Sequence, residues 1–253
     1  MLNLKGVGIS FGGLQAVKNV SFGMSRGQIK ALIGPNGAGK TTLFNLITGM
    51  LRPDTGEILF QEKPLQGLPP FQIAAQGISR TFQIVQLFGH MTVLENVMVG
   101  RHVRTSAGLF SAALRLPSGR REEAAIRAQA RYWLDFVGLA SRADDYASNL
   151  PLGYQRLLEI ARALATEPEL LLLDEPAAGL GINETDKLME IIFDIRTQGI
   201  SVLLVEHDMS LTMEVADEIV VLDHGELLAE GAPREIQRNP EVIAAYLGRD
   251  WQQ

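Results

Sequence analysis

Apolar and polar residues alternate along LNLKGVGIS (Leu2–Ser10) and VKNVSFGMS (Val17–Ser25), and an apolar run, IKALIG (Ile29–Gly34), follows the turn-like Arg26-Gly27-Gln28. This pattern predicts three short strands. Thr41 to Gly49 then reads as a helix stopped by Gly49, with RPDTG as a turn and EILF as a further strand. From about Gln83 to Ala165 the character changes to helices and loops. LFSAAL and REEAAIRAQARYWLDFV carry apolar residues at helical spacing, with LPSG predicted as a break between them. Beyond Glu167-Pro168 the strands return as near-continuous apolar runs, LLLLD, SVLLVE and EIVVLD, separated by the helical patterns ETDKLMEIIFDIRT and DMSLTMEVA. Such runs suit parallel strands buried on both faces, and strand–helix alternation is the pattern of an open parallel sheet.

Composition changes this picture little. The chain has 253 residues, 46% hydrophobic and 21% charged, the balance of a globular α/β protein. A net charge of -6 disfavours non-specific nucleic-acid binding, so no nucleic-acid partner is expected, and the cationic stretch Arg104–Arg121 reads as a solvated insertion. Without cysteine there is no disulfide framework and no thiolate metal site. The N-terminus lacks the apolar core of a signal peptide, and no run reaches the roughly 20 apolar residues that span a bilayer. The expected compartment is the cytoplasm, with any membrane association made through a partner.

Candidate chemistry begins at GPNGAGKTT (Gly34, Pro35, Asn36, Gly37, Ala38, Gly39, Lys40, Thr41, Thr42), which follows an apolar strand and opens a helix. Glycines in that setting let backbone N–H groups converge on phosphate oxygens at a helix N-terminus. Lys40 can reach the β- and γ-phosphates of ATP, and the Thr41 hydroxyl can ligate Mg²⁺. Asp174 ends the strand LLLLD, where a carboxylate can orient Mg²⁺ through its water shell, and Glu175 beside it can act on an attacking water. His207 ends the next buried strand, placed for a polar contact to the γ-phosphate or its water.

Taken in order, these segments resemble the ATP-binding subunits of ABC transporters over nearly the whole chain. The resemblance implies a P-loop NTPase (RecA-like) α/β core with a small antiparallel β subdomain and an inserted helical lobe. Residues 1–83 and 166–253 would form the nucleotide-binding core of a single domain, and 84–165 the lobe with its signature loop. ISFGGLQAV resembles the segment whose aromatic residue, here Phe11, stacks on adenine, and Val17 at its end counts among the nucleotide-binding residues. RTFQ carries Gln83, matching the glutamine that joins the Mg²⁺ site to the lobe. AAGLG matches the loop through which two subunits communicate, although Gly181 falls where an aspartate is usual.

FGGLQAVKNV, RTFQIVQLF, DEPAAGL and the tail NPEVIAAYLG narrow the resemblance to the importer ATPases for branched-chain amino acids that keep the switch histidine. The implied partners are ATP, a second ATP-binding subunit, two integral-membrane permease subunits and, indirectly, an extracytoplasmic solute-binding protein. The implied place is the inner face of the cell membrane. LPLGY stands where the family carries a serine-glycine-glycine loop that closes the partner's ATP. Pro151 lacks both the hydroxyl and an N–H, Gly153 is kept, and Tyr154 replaces a common glutamine. It reads as a variant signature. In IVQLFGHMTVLENV the large apolar Leu87, Phe88 and Met91 are expected to form a groove for a short helix of the permease. Urea or amide importers, lipopolysaccharide-export ATPases and a soluble non-transport ABC ATPase remain as alternatives. A P-loop kinase or GTPase leaves Gln83, the lobe and His207 unexplained.

Overall fold

The apolar runs of the second half of the chain lie side by side because each needs burial on both faces. In the computed structural model, which describes residues 1–101 and 117–247, a six-stranded sheet has the order β10-β9-β3-β8-β7-β6. Its members are β3 (Ile29–Ile33), β6 (Ile78–Arg80), β7 (Leu170–Asp174), β8 (Ser201–Val205), β9 (Glu218–Asp223) and β10 (Glu226–Gly231). All pair in parallel except β10, which closes the edge antiparallel to β9. Alternate residues of one strand serve different cores. Leu170 and Leu172 pack with the first α-helix and the N-terminal strands, whereas Leu171 and Leu173 pack with the helices of the lobe. That two-sided burial explains why LLLLD shows no alternation.

A second sheet, order β2-β1-β4-β5, is antiparallel throughout and is made from β1 (Leu2–Phe11), β2 (Leu14–Met24), β4 (Thr55–Phe60) and the short β5 (Lys63–Pro64). Its inward residues, Leu2, Leu4, Val7, Val20, Phe22 and Ile58, share a core with the first helix, α1 (Lys40–Ile47). This is the expected arrangement of a parallel core with a small antiparallel sheet beside it. The short α2 (Pro70–Ala75), beside β6, adds Ile73 to the same core as α1, and the helices on the other face are α3 (Val93–Arg101), α4 (Pro117–Phe136) and α5 (Leu152–Leu164), which enclose a core around Leu94, Trp133, Leu134 and Leu158. A methyl group at Gly100 would overlap the Arg162 carbonyl, so α3 and α5 touch backbone to backbone there. Four more helices follow among the described residues: α6 (Ile182–Thr197), α7 (Met209–Val215), α8 (Pro233–Ile236) and α9 (Pro240–Leu247).

Three differences from the sequence reading have local causes. The helix expected over Thr41–Gly49 runs Lys40–Ile47 and stops where Gly49 adopts φ 70°. The break expected over LPSG is partly helix, because α4 starts at Pro117, a residue tolerated in a first turn. The strands β5, β6 and β10 go beyond those predicted; two are very short and the third is an edge strand of mixed polarity. The segment LFSAAL and the cationic stretch up to Leu116 lie outside the described residues.

Candidate functional site

The carboxyl ends of β3, β7 and β8 converge on one cleft of about 610 Å³, the position where an open α/β sheet offers a ligand site. Its floor is the loop Asn36–Thr42. One wall is the β1–β2 hairpin through Gly13, Leu14, Gln15, Ala16 and Lys18, and Gln83, Glu175, His207 and His224 complete the lining. Two glycines of the floor are conformationally required. Gly37 and Gly39 have φ 80° and 104°, and a methyl group at Gly39 would stand 2.6 Å from the Ala16 carbonyl oxygen. Gly34 and Pro35 lie behind the floor, where a methyl on Gly34 would overlap the Leu222 carbonyl. Gly39 brings no side-chain cap to α1, so the first-turn N–H groups remain available to an anion.

Lys40 is buried, and its ammonium donates to the carbonyls of Gly34 (2.6 Å) and Pro35 (2.9 Å). Burial pulls its pKa below the usual lysine value, opposed by the charges of Glu175 and Asp174. Asp174 is 1% exposed, and its Oδ2 accepts from Arg80 Nη2 at 2.7 Å. Arg80 in turn lies over the rings of Phe44 and Phe82 and donates to Asn45. The other carboxylate oxygen, Oδ1, is buried without a hydrogen-bond partner. Such an atom needs a donor or a cation, and with Thr41 and Gln83 in the cleft wall the donor set fits a hydrated Mg²⁺.

Three candidates meet at the mouth. Gln83 Nε2 donates to Glu175 Oε2 at 2.8 Å, and His207 Nε2 stands 2.9 Å from Glu175 Oε1. Glu175 itself turns out of β7 at φ 48°, its N–H bonded to the Val205 carbonyl.

Phe11 and Val17 do not line this cleft. Phe11 is exposed at the end of the hairpin, and Val17 is buried beneath the phosphate loop, 3.5 Å from where a Gly39 methyl would sit. Pro151, Gly153 and Tyr154 are also away from it. Pro151 precedes α5, Tyr154 packs under the Arg142 guanidinium 4.8 Å from its ring, and Gly153 is buried against Glu184. A methyl on Gly153 would overlap that carboxylate, whose Oε2 also accepts from the Gly181 N–H at 2.9 Å. LPLGY and AAGLG are therefore fitted to each other within one chain.

The sequence reading missed several participants. Arg80 stands against Asp174, Lys18 and His224 face the cleft, and α5 grips the residue before Gln83 from both sides. The Phe82 N–H donates to Glu159 Oε1 (3.3 Å), and Arg156 donates to the Phe82 carbonyl (3.2 Å). Burial pushes the Glu159 carboxyl up, against its backbone hydrogen bonds and nearby arginines. A charged residue on the buried face of an apolar helix was the available signal: Glu159 interrupts LLEIARAL at 2% exposure.

Comparison with known proteins places this geometry. A family profile described as ABC transporter matches residues 17–178, and one described as branched-chain amino acid ATP-binding cassette transporter matches residues 226–251. The chain is 49% identical to the high-affinity branched-chain amino acid transport ATP-binding protein LivG of Escherichia coli (strain K12) over 98% of each. It is 45% identical to BraF, of the same description, from Pseudomonas aeruginosa, again over 98% of each. Among solved structures it is similar to the ADP conformation of MJ1267, an ATP-binding cassette of an ABC transporter, with TM-score 0.86 at 31% identity and 98% of both chains covered. A dimeric post-hydrolysis state of the cassette MJ0796 bound to ADP and Pi matches with TM-score 0.78 at 26% identity, covering 92% of this chain and 99% of that one.

Proposed function

Because the chain belongs to the ATP-binding subunits of ABC transporters, we propose that it hydrolyses ATP to drive branched-chain amino acid import through separate permease subunits. The relatives' names and the matching tail support the solute class. The observation that carries the chemistry is the meeting of Gln83, Glu175 and His207 at 2.8 and 2.9 Å above a phosphate loop. The loop N–H groups and Lys40 bind the phosphates, Lys40 leaving its two carbonyls for them. Thr41 and Gln83 would hold Mg²⁺, with Asp174 acting through its water. The ion would screen phosphate charge.

Glu175 polarises the water that adds to the γ-phosphorus while the bond to the β–γ bridging oxygen breaks, leaving ADP and phosphate, and its carboxylate receives the proton. His207 holds the γ-phosphate or that water. Pro151, Gly153 and Tyr154, in the lobe of residues 84–165, face the nucleotide of a second ATP-binding subunit. Phe11 closes over the base when ATP is bound. Two permease subunits hold the pair at the inner face of the membrane, and an extracytoplasmic binding protein delivers the solute. No helix among the described residues is long and apolar enough to cross a membrane.

Uptake of radiolabelled leucine, isoleucine, valine, urea and a short aliphatic amide by a deletion strain tests the solute. Loss of the three amino acids, restored by the gene, is expected. Loss of urea or amide uptake with leucine uptake intact overturns the assignment.

A further inference from the structure

Glu206 ends the run SVLLVE and is 3% exposed, yet no cation pairs with it among the described residues. Its carboxylate is satisfied by backbone alone. Oε1 accepts from the Ala177 N–H at 2.7 Å, and Oε2 accepts from the N–H groups of His207 (2.9 Å) and Asp208 (3.3 Å). Burial pushes this carboxyl up, the three N–H groups oppose the shift, and the nearby Glu175 charge adds to it.

Those N–H groups belong to two different loops. Ala177 lies two residues beyond Glu175, at the exit of the left-handed turn that aims Glu175 into the cleft. His207 and Asp208 open the loop after β8, and Asp208 Oδ1 then caps α7 through the N–H groups of Ser210 and Leu211. The His207 backbone is therefore fixed on both sides, by Glu206 and by the helix cap, while its ring reaches Glu175 at 2.9 Å. One buried carboxylate sets the spacing between two loops whose tips hold the base and the histidine.

We propose that Glu206 is a positioning residue for hydrolysis, holding the turn after Glu175 and the backbone of His207 in the register that brings the two side chains together. It also joins the histidine to the start of AAGLG, so a displacement of His207 by phosphate is passed to the loop that faces the second subunit. The proposal rests on the roles given above to Glu175 and His207. A glutamine at 206 keeps the volume and one acceptor, but turns an N–H₂ group toward backbone N–H groups.

The test is a mutant cycle in the assembled transporter: Glu206→Gln, His207→Ala, the double variant and Glu175→Gln, each measured for ATP affinity, kcat and KM. Glu206→Gln is expected to lower kcat by about tenfold or more with ATP affinity within about twofold, since a misplaced group loses rate rather than binding. Added to His207→Ala, it should cost less than about twofold more, because both act through one contact. Multiplicative losses overturn the proposal, as does wild-type kcat in the single variant. Loss of ATP binding together with kcat makes Glu206 part of the scaffold and also overturns it. Glu175→Gln separates the two levels: near wild-type turnover in that variant defeats the assignment of Glu175, whatever the 206 variants do.

Discussion

At φ 48° Glu175 occupies backbone space that costs a residue with a Cβ about 1–2 kcal/mol, and it remains there because Val205, Gln83 and His207 all hold it. Glu175→Gln keeps the shape and removes the base. ATP affinity should stay within about twofold while turnover falls by about 100-fold or more. Equilibrium binding and single-turnover hydrolysis check the two halves, and turnover near wild type would remove the role. Lys40→Ala should fail differently, weakening ATP binding by about tenfold or more through loss of a charge-assisted contact to phosphate. At this scale the sequence was informative where chemistry is local. Lys40, Thr41, Asp174 and Glu175 sit in contiguous patterns whose spacing is set by a strand end or a helix start. Arg80 and Glu206 were not legible, because each gains meaning from a group 94 or 29 positions away.

Among the elements, the segment from Gln83 into α3 shows what patterning can and cannot separate. Val93, Leu94 and Val97 are buried in the lobe, and Leu87 packs half-buried against the same core. Ile84, Phe88 and Met91 stay exposed. The buried group lies in α3 at helical spacing, whereas Ile84–Thr92 is neither helix nor strand and has no period, so patterning there does not separate Leu87 from Phe88 and Met91. The turn is built by Asn96, fully buried, which bonds both the N–H and the carbonyl of Phe88 and the carbonyl of Thr92. Phe88→Asp with Met91→Asp should therefore leave the lobe folded and ATP bound, but abolish co-purification of the permease subunits. Retained capture of the permease by that double variant would show that the exposed trio is not the docking face. Leu87 is unsuitable for the test, because an aspartate there would damage the lobe as well. The parallel strands were legible for the opposite reason: two-sided burial leaves a long apolar run, whereas β6 has three residues and β10 has an exposed face.

For the whole molecule, the last helix reports on the phosphate loop. The phenol of Tyr246 on α9 is pushed up to about 12, by burial, with the Gly34 N–H opposing. The unfolded chain loses that proton first, near pH 10, so stability should decline as pH rises from about 10 to 12. Tyr246→Phe has no such proton, and its unfolding midpoint in urea should fall less steeply across that window; parallel declines would show that the phenol does not contribute. The sheet order has a further consequence, for synthesis. β3, which leads into the phosphate loop, lies between β8 and β9, and both come from residues beyond 200. A nascent chain that has already delivered GPNGAGKTT must wait for its flanking strands, roughly ten to thirty seconds at ordinary elongation rates. Until then neither edge of β3 has a partner strand. The ATP site is thus among the first segments to leave the ribosome and among the last to become a pocket.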